Sequence, residues 1–321
     1  MKHSYDLLGE QSLERLNTIS LPPRSALPRN NRAPKEEVKT PGISGETSEP
    51  KRDLYLLLRD NAKNDEVLGK LWTEVTTVPE WVDWEQISRG QDVFYRYGGP
   101  ALTGLAFQSL LGGMVRSGES GRNVDSHSET TQHILQCTQS LSSIQPGGAG
   151  HASSIRVRLL HAAVRQRIMK LAQTRPGYYD VSAWGIPIND LDCIATIGTF
   201  SATLIWLSLP RQGIWMTKQD VIDYIALWRY IAYLTGTPTE PFETPEKAKM
   251  IMEVLIMYEI KPTQTGKVLA NNIIKSLAGQ PPSFASVDFL LVNARWLNGD
   301  ELCDALGLGR PTFYYVGFPS G

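Results

Sequence analysis

The apolar residues of this chain recur every three or four positions over most of its length, which is the spacing of amphipathic helices. Alternating apolar and polar residues are scarce, and the chain has no internal repeat and no glycine-rich phosphate loop. The pattern therefore predicts an all-α protein in which residues 51–321 form a single, mostly helical domain.

Helix starts are clearest in the second half of the chain. Asn189 with Asp192, and Thr217 with Asp220, have the spacing of capping boxes. Thr244-Pro245-Glu246 offers a cap, a first-turn proline and an acid. We expect helices to begin after each of these signals, followed by helices over residues 264–278, 287–297 and 300–306.

Residues 1–50 differ in composition from the rest of the chain. They contain six prolines among many serines, threonines, asparagines, lysines and glutamates. Such a mixture buries too little apolar surface to offset the entropy lost on ordering. We therefore predict a flexible N-terminal arm over residues 1–50.

The composition excludes several classes of function. The chain has 321 residues, is 41% hydrophobic and carries a formal net charge of -1, so it lacks the basic surface that nucleic acid requires. Its three cysteines include no Cys-x-x-Cys pair, which argues against a thiolate zinc site and favours a reducing compartment. The N-terminus has no secretory signal pattern, so a cytoplasmic location is expected.

One segment tests that expectation. Residues 193–209 carry no charge over 17 positions, which is at the lower edge of what spans a bilayer. Their many hydroxyl side chains would be costly facing lipid but suit close packing between helices. We interpret the segment as a buried core helix and expect no transmembrane segment in this chain.

The most informative stretch runs from Ser154 to Arg167 and contains one of only five histidines, His161. At about 100° per residue, its apolar residues share an arc of about 80°, His161 lies about 20° beyond that arc, and Arg158 and Arg165 follow. An imidazole at this border can serve as a ligand to a metal or haem, or it can be a hydrogen-bonded core histidine. The rest of the sequence shows no pattern of two histidines with one carboxylate that would bind a metal. It also has no His-Glu-x-x-His motif of a zinc protease and no Gly-x-Ser-x-Gly nucleophile elbow.

Several segments, taken in order, resemble the MpaB-like oxygenase family, which includes latex-clearing protein, the haem b rubber oxygenase. The resemblance covers about residues 54 to 316, and the helix containing His161-Ala-Ala-Val-Arg165 is its most specific element. The segments are Pro79-x-Trp-Val-Asp-Trp84, Arg89-Gly-Gln91, Phe94-Tyr-Arg-Tyr97, Glu129-Thr-Thr-Gln132, Arg156 to Arg165, Pro187-Ile-Asn189 and Trp228 to Gly236.

This resemblance implies a haem pocket between helices. His161 matches the proximal iron ligand of rubber oxygenases, so it is expected to bind haem iron, with its other ring nitrogen held by a neighbouring acceptor. Arg158 and Arg165 would then pair with haem propionates or with acidic residues of the protein, because a guanidinium fork matches a carboxylate. Solvated or helix-pairing arginines are the alternative.

On the opposite side of the pocket the chain departs from the family pattern. Rubber oxygenases have a lysine followed by a threonine, with an arginine three residues before the lysine, where this chain has Glu129, Thr130 and Ser126. Glu129 would leave the iron open to dioxygen, orient a substrate or abstract a proton, or it would be purely structural. Thr131 and His133 are further candidates for contact with dioxygen or substrate.

The resemblance further implies an oxidoreductase of fungal-type secondary metabolism that combines dioxygen with an apolar, prenylated, terpenoid or polyketide-derived substrate. It is compatible with peripheral association with the endoplasmic reticulum membrane. Two alternatives remain open at this point. The same pocket could house cofactor-free acid–base chemistry by Glu129 or His133, as in an isomerase or cyclase, or the chain could be a non-catalytic helical binding protein.

Overall fold

The computed structural model describes residues 1–21, 52–112, 124–259, 262–280 and 284–311, without the side chains of 106–112, 124–129 and 265. All secondary structure in these ranges is helical, which confirms the all-α prediction. Residues 204–208 form one turn of π-helix and residues 240–242 a 3₁₀ turn. The α-helices are α1 (Leu7–Ile19), α2 (Leu54–Asn61), α3 (Glu66–Thr76), α4 (Trp84–Arg96), α5 (Gly98–Gly112), α6 (Val124–Thr138), α7 (Leu141–Ile144), α8 (Ala149–Thr174), α9 (Val181–Trp184), α10 (Asp190–Phe200), α11 (Leu209–Arg211), α12 (Lys218–Leu234), α13 (Pro245–Tyr258), α14 (Gln264–Leu277), α15 (Val287–Asn298) and α16 (Asp300–Ala305).

The predicted helix starts are confirmed. Complete capping boxes join Asn189 to Asp192 at the start of α10 and Thr217 to Asp220 at the start of α12. The Thr244 hydroxyl accepts a hydrogen bond from the backbone of the third residue of α13. Each cap satisfies a backbone N–H that the helix itself leaves unbonded, so these starts follow from local sequence.

The predicted arm is wrong for residues 1–21, and residues 22–51 lie outside the described residues. Residues 7–19 form α1, whose N-cap Asp6 accepts a hydrogen bond from the Gly9 N–H. Leu13 and Leu16 are 2% and 0% exposed, because α1 packs against α3 and α8. All six prolines of the predicted arm lie at positions 22 to 50, so averaging over 50 residues hid an amphipathic helix at the start.

The helices enclose three apolar clusters. The largest is centred on α4 and α12, where Trp228, Tyr230 and Ile87 are fully buried. The second joins α1, α2 and α3 to the first half of α8. The third is formed by α14, α15 and α16 with the segment just beyond α16. The long helix α8 thus lies between the N-terminal helices on one side and α6 and α12 on the other.

The uncharged segment 193–209 packs into the core, as predicted, but it is not one helix, and Thr196 on α10 is exposed. It forms α10, a break around Ser201, and the π-helical turn, and Ile194, Ala202 and Leu204 belong to the largest core cluster. Among the described helices none has both the length and the apolar composition to cross a bilayer alone. Residues 190–200 and 204–211 meet that criterion only as a pair, bent by 42°, on length and composition.

Candidate active site

The helix of His161, α8, buries a different face from the one its apolar pattern predicts. Leu160 lies in the predicted apolar arc and is 47% exposed, whereas Arg158 and Arg165 are 3% and 2% exposed. The arginines are buried because acidic residues and carbonyl groups of neighbouring segments neutralise and bond them. The pattern failed here because it treats every charged residue as solvent-facing.

Arg158 lies three residues before His161 and forms a buried ion-pair network. Its Nε and one terminal nitrogen donate to the two carboxylate oxygens of Asp6 at 2.7 and 2.8 Å. Its other terminal nitrogen donates to Glu74 at 2.7 Å. These carboxylates raise the pKa of the guanidinium against the opposing effect of burial. The sequence left two kinds of partner open for Arg158, haem propionates and acidic residues of the protein. The structure shows acidic residues, Asp6 and Glu74.

Arg165 lies four residues after His161, and its guanidinium is also buried and hydrogen-bonded within the protein. It donates to the carbonyl groups of Pro187 and Ile188 at 3.2 and 2.8 Å and to Glu10 at 3.3 Å. Its guanidinium carbon stands 4.5 Å from the centre of the Tyr5 ring. Ile188 has a φ of 52°, which is strained for a β-branched residue. Arg165 therefore helps to hold a strained loop directly before α10.

His161 stands between these two arginines, partly buried and uncharged. Its Nδ1 is shut off from solvent and has no hydrogen-bond partner among the described residues. The neighbouring acceptor expected for this ring stays a prediction. The pKa of His161 is lowered to about 4. Burial is the largest cause, the charge of Arg165 adds to it, and the charge of Asp6 opposes it. A buried polar atom without a partner costs about 1–3 kcal/mol, so this nitrogen is a polar group that the described residues leave unsatisfied.

His133 lies on α6, which packs against α8, the helix of His161. Burial lowers the pKa of His133 to about 4, and the charge of His161 is the second cause. The His133 Nδ1 shares a hydrogen bond of 3.0 Å with the Ser153 hydroxyl of α8 and lies 3.6 Å from the Cys137 Sγ. His133 is thus bonded to the helix that carries His161, and Ser153 orients its ring.

The approach of α6 to α8 depends on a glycine. A Cβ atom on Gly150 would lie 2.6 Å from the Gln136 carbonyl oxygen and 2.8 Å from the Cys137 Cα. Both atoms belong to the backbone of α6 and cannot move aside cheaply. Gly150 thus sets the separation of the two helices that hold His133 and His161.

The remaining predicted site residues are less well defined. Thr130 and Thr131 are exposed on α6, one turn or less before His133. The side chain of Glu129 lies outside the described side chains, so its predicted roles stay predictions. Thr203 is buried in the uncharged segment 193–209. The hydroxyl groups of Thr196 and Thr199 donate hydrogen bonds to backbone carbonyl groups of their own helix, α10.

Sequence reasoning missed the acidic residues of the site. Asp6, Glu10 and Glu74 come from the region read as an arm and from α3, more than 80 residues before His161. A signal was available, because Asp6 precedes an amphipathic run as a helix cap does. Nothing in the sequence indicates that this cap also bonds to Arg158.

The comparison with family models decides the family of this chain. The model described as "ER-bound oxygenase mpaB/B'/Rubber oxygenase, catalytic domain" matches residues 84–314. The chain belongs to this oxygenase family. The matched region contains α6 and α8, and therefore both His133 and His161, whereas α1, α2 and α3 precede it.

A solved structure of latex clearing protein in the closed state has the same fold. Its TM-score is 0.59 at 18% sequence identity, covering 78% of this chain and 67% of that chain. At this identity the likeness concerns the fold alone. A search among curated proteins gave no match. The recognition of the oxygenase family from sequence is thus confirmed, and the family's known fold agrees with the helical architecture seen here.

Proposed function

We propose that this member of the oxygenase family is a haem b-dependent oxygenase that acts on an apolar small molecule with dioxygen, and that His161 is the proximal iron ligand. The observation that carries the proposal is the state of His161. It is an uncharged imidazole on a helix inside the matched catalytic domain, and its buried nitrogen has no partner among the described residues.

The residues present fit a haem group. An imidazole must be unprotonated to bind iron, and a pKa of about 4 keeps His161 neutral at any physiological pH. Beside it, the arc containing Val157, Leu160 and Val164 is apolar yet only partly covered, which suits contact with a flat apolar ring. Bound haem would supply the activation of dioxygen, which amino-acid side chains do not provide.

The arginines contribute in a different way. Every nitrogen of Arg158 and of Arg165 already donates to an acceptor of the protein, so both hold α8 in place whether or not a propionate binds. Pairing with haem propionates stays a prediction for each. It would use the N–H groups that these bonds leave over, since a guanidinium has five.

His133 is the best placed of the candidates for contact with dioxygen or substrate. It is neutral, it is oriented by Ser153, and it lies on the helix that also bears Glu129, Thr130 and Thr131. A neutral imidazole with a fixed ring can donate one hydrogen bond without adding charge to an apolar pocket. Removal of His133 should therefore weaken oxygen-dependent turnover more than it weakens haem binding.

The cofactor-free alternative fits less well. A general base works best when its pKa is near the working pH, and a pKa of about 4 makes His133 a weak base. The same holds for His161. Proton abstraction by this pair at neutral pH would be slow, whereas binding of iron requires only an unprotonated nitrogen.

The family description also supports a proposal for the substrate and the location. Relatives described as ER-bound oxygenase and rubber oxygenase support an apolar substrate, for which we propose a prenylated, terpenoid or polyketide-derived compound of fungal-type secondary metabolism. We propose a cytoplasmic location that is compatible with peripheral association with the endoplasmic reticulum membrane. The buried apolar residues of α10 and the π-helical turn would separate such a substrate from water.

The test is an absorption spectrum of the purified protein together with iron quantification, for the wild type and His161→Ala. We expect a Soret band and stoichiometric iron in the wild type, both lost in the variant and restored by added imidazole, because imidazole can replace the missing side chain as ligand. Oxygen uptake with a prenylated model substrate should follow the haem content.

Lys170→Ala is the matched control, since Lys170 is exposed on α8 and lies outside the apolar arc beside His161. It should keep both haem and iron. A wild-type protein that stays colourless and iron-free after reconstitution with haem would overturn the proposal. Full haem retention in His161→Ala would overturn the assignment of the ligand.

A further inference from the structure

We infer that the N-terminal segment, residues 1–20, supports the His161 site. In it, Asp6 and Glu10 act as positioning residues that hold α8 through Arg158 and Arg165. This segment lies outside the matched catalytic domain, which begins at residue 84. The inference rests on the proposed function only for the identity of the group that His161 binds. The contacts themselves are independent of it.

The first part of the segment is fastened to the loop that precedes α10. The Ile186 N–H donates to the Lys2 carbonyl at 2.8 Å, and the Asp190 N–H donates to the Ser4 carbonyl at 2.9 Å. The Lys2 ammonium pairs with Glu259 at 3.0 Å. The chain start is thereby held along the loop that Arg165 also bonds.

Asp6 connects α1 to α8. One carboxylate oxygen caps α1 through the Gly9 N–H at 3.0 Å, and both oxygens bond to Arg158. The pair is packed against Gly236, where φ is 71° and a Cβ atom would lie 2.6 Å from both the Arg158 Nε and an Asp6 oxygen. Only glycine tolerates both the positive φ and the close contacts at this position. The segment at Gly236, the start of α1 and the helix α8 therefore all pack against the Asp6–Arg158 ion pair.

Glu10, one turn further along α1, bonds to Arg165 at 3.3 Å. Arg158 and Arg165 lie three residues before and four residues after His161, so all three share one side of α8. The acids of α1 therefore hold α8 on both sides of His161. Without them, Arg158 keeps only Glu74 and Arg165 has no carboxylate among its described partners, and a buried unpaired charge is costly.

The test uses the full chain with Asp6→Asn and Glu10→Gln. Asparagine is as good a helix cap as aspartate, so Asp6→Asn removes the charge and keeps the start of α1. Glu14→Gln is the control, because Glu14 lies one turn beyond Glu10, is exposed and contacts neither arginine. Each protein is treated with diethyl pyrocarbonate before haem is added, and the modification of each histidine is followed by mass spectrometry.

The readout is the ratio of the His161 rate to the His151 rate. His151 lies on the same helix, and both its ring nitrogens are bonded, to the Val75 carbonyl and the Gly147 N–H. General loosening of α8 would expose both histidines and leave the ratio unchanged. We expect the ratio to rise about tenfold in Asp6→Asn and by a smaller factor in Glu10→Gln, because local opening exposes His161 alone.

A second readout is the rate of haem transfer from reconstituted protein to an apoglobin, which should also rise in both variants and not in Glu14→Gln. A wild-type ratio in folded Asp6→Asn and Glu10→Gln would overturn the inference. So would an equal rise for His151 and His161. Absence of haem binding in the wild type would instead overturn the proposed function, and the haem-free ratio would still decide the role of Asp6 and Glu10.

Discussion

At the scale of single residues, the site is defined by two imidazoles that the protein keeps uncharged. His161 and His133 lie on facing helices, and burial is the main cause of the low pKa of each. The positive charge of Arg165 acts in the same direction on the pKa of His161. This environment suits metal binding and opposes acid–base work, so the chemistry of the site follows from desolvation more than from any single contact.

The first prediction concerns the pH dependence of stability. Between pH 6.5 and about 4 the unfolded chain protonates His133 and the folded protein does not, so the free energy of unfolding falls as the pH is lowered through this range. In urea titrations of haem-free protein, His133→Gln should remove roughly 2–3 kcal/mol of this decrease between pH 7 and pH 4.

His3→Gln is the control for this prediction, because His3 is exposed and remote in sequence from α6. It should keep the pH dependence of the wild type. A His133→Gln protein with an unaltered decrease below pH 6.5 would contradict the buried, neutral state of His133.

At the scale of elements, the site depends on how closely α6 and α8 approach. Gly150 allows contact between the first turn of α8 and the backbone of α6, and the hydrogen bond between His133 and Ser153 forms across this contact. The Ser143 hydroxyl, which donates to the Gln136 carbonyl and accepts from the Gly150 N–H, ties the intervening α7 to both helices. Helix separation and ring orientation are therefore coupled.

The second prediction is that Gly150→Ala destabilises the protein by about 1–3 kcal/mol, because the added methyl group meets backbone atoms that must shift together. Chemical denaturation would measure this loss. Gly99→Ala on α5 is the matched control, since a Cβ atom there meets no described atom within 4 Å, and it should be neutral or stabilising by up to about 1 kcal/mol. Equal stability of both variants would contradict the close packing of α6 and α8.

At the scale of the whole molecule, the apolar core is divided. The cluster of α14, α15 and α16 is separate from the cluster that surrounds α4 and α12, and α5, which contacts both α14 and α15, joins the two. Arg211 donates to the Leu297 carbonyl across this boundary. Separate clusters open separately when the energy that joins them is small, so the C-terminal helices should form a distinct cooperative unit.

The third prediction follows from this division. Leu297→Ala removes a side chain that is 2% exposed from the C-terminal cluster and should lower its opening energy by about 2–5 kcal/mol. Native-state hydrogen exchange should then show faster exchange in α14 and α15, with the amides of α12 unchanged. Parallel acceleration of α12 would show instead that the domain opens as one unit.

Local sequence was sufficient to predict the class of fold and many of its helix boundaries. Capping boxes at Asn189 and Thr217 determine helix starts through bonds made within three residues, so no distant part of the chain is needed. The family resemblance rested on short motifs and directed attention to His161 for the same reason. These features are local, and the sequence contains all the information that they require.

Only the tertiary structure decided which face of α8 is buried and what the N-terminus does. The buried state of Arg158 requires Asp6, 152 residues earlier in the chain, and Glu74, 84 residues earlier. Periodicity assigns charged residues to the solvent because it cannot include partners at such separations. A buried ion pair depends on two helices meeting in space, and that meeting is a property of packing which no stretch of sequence contains by itself.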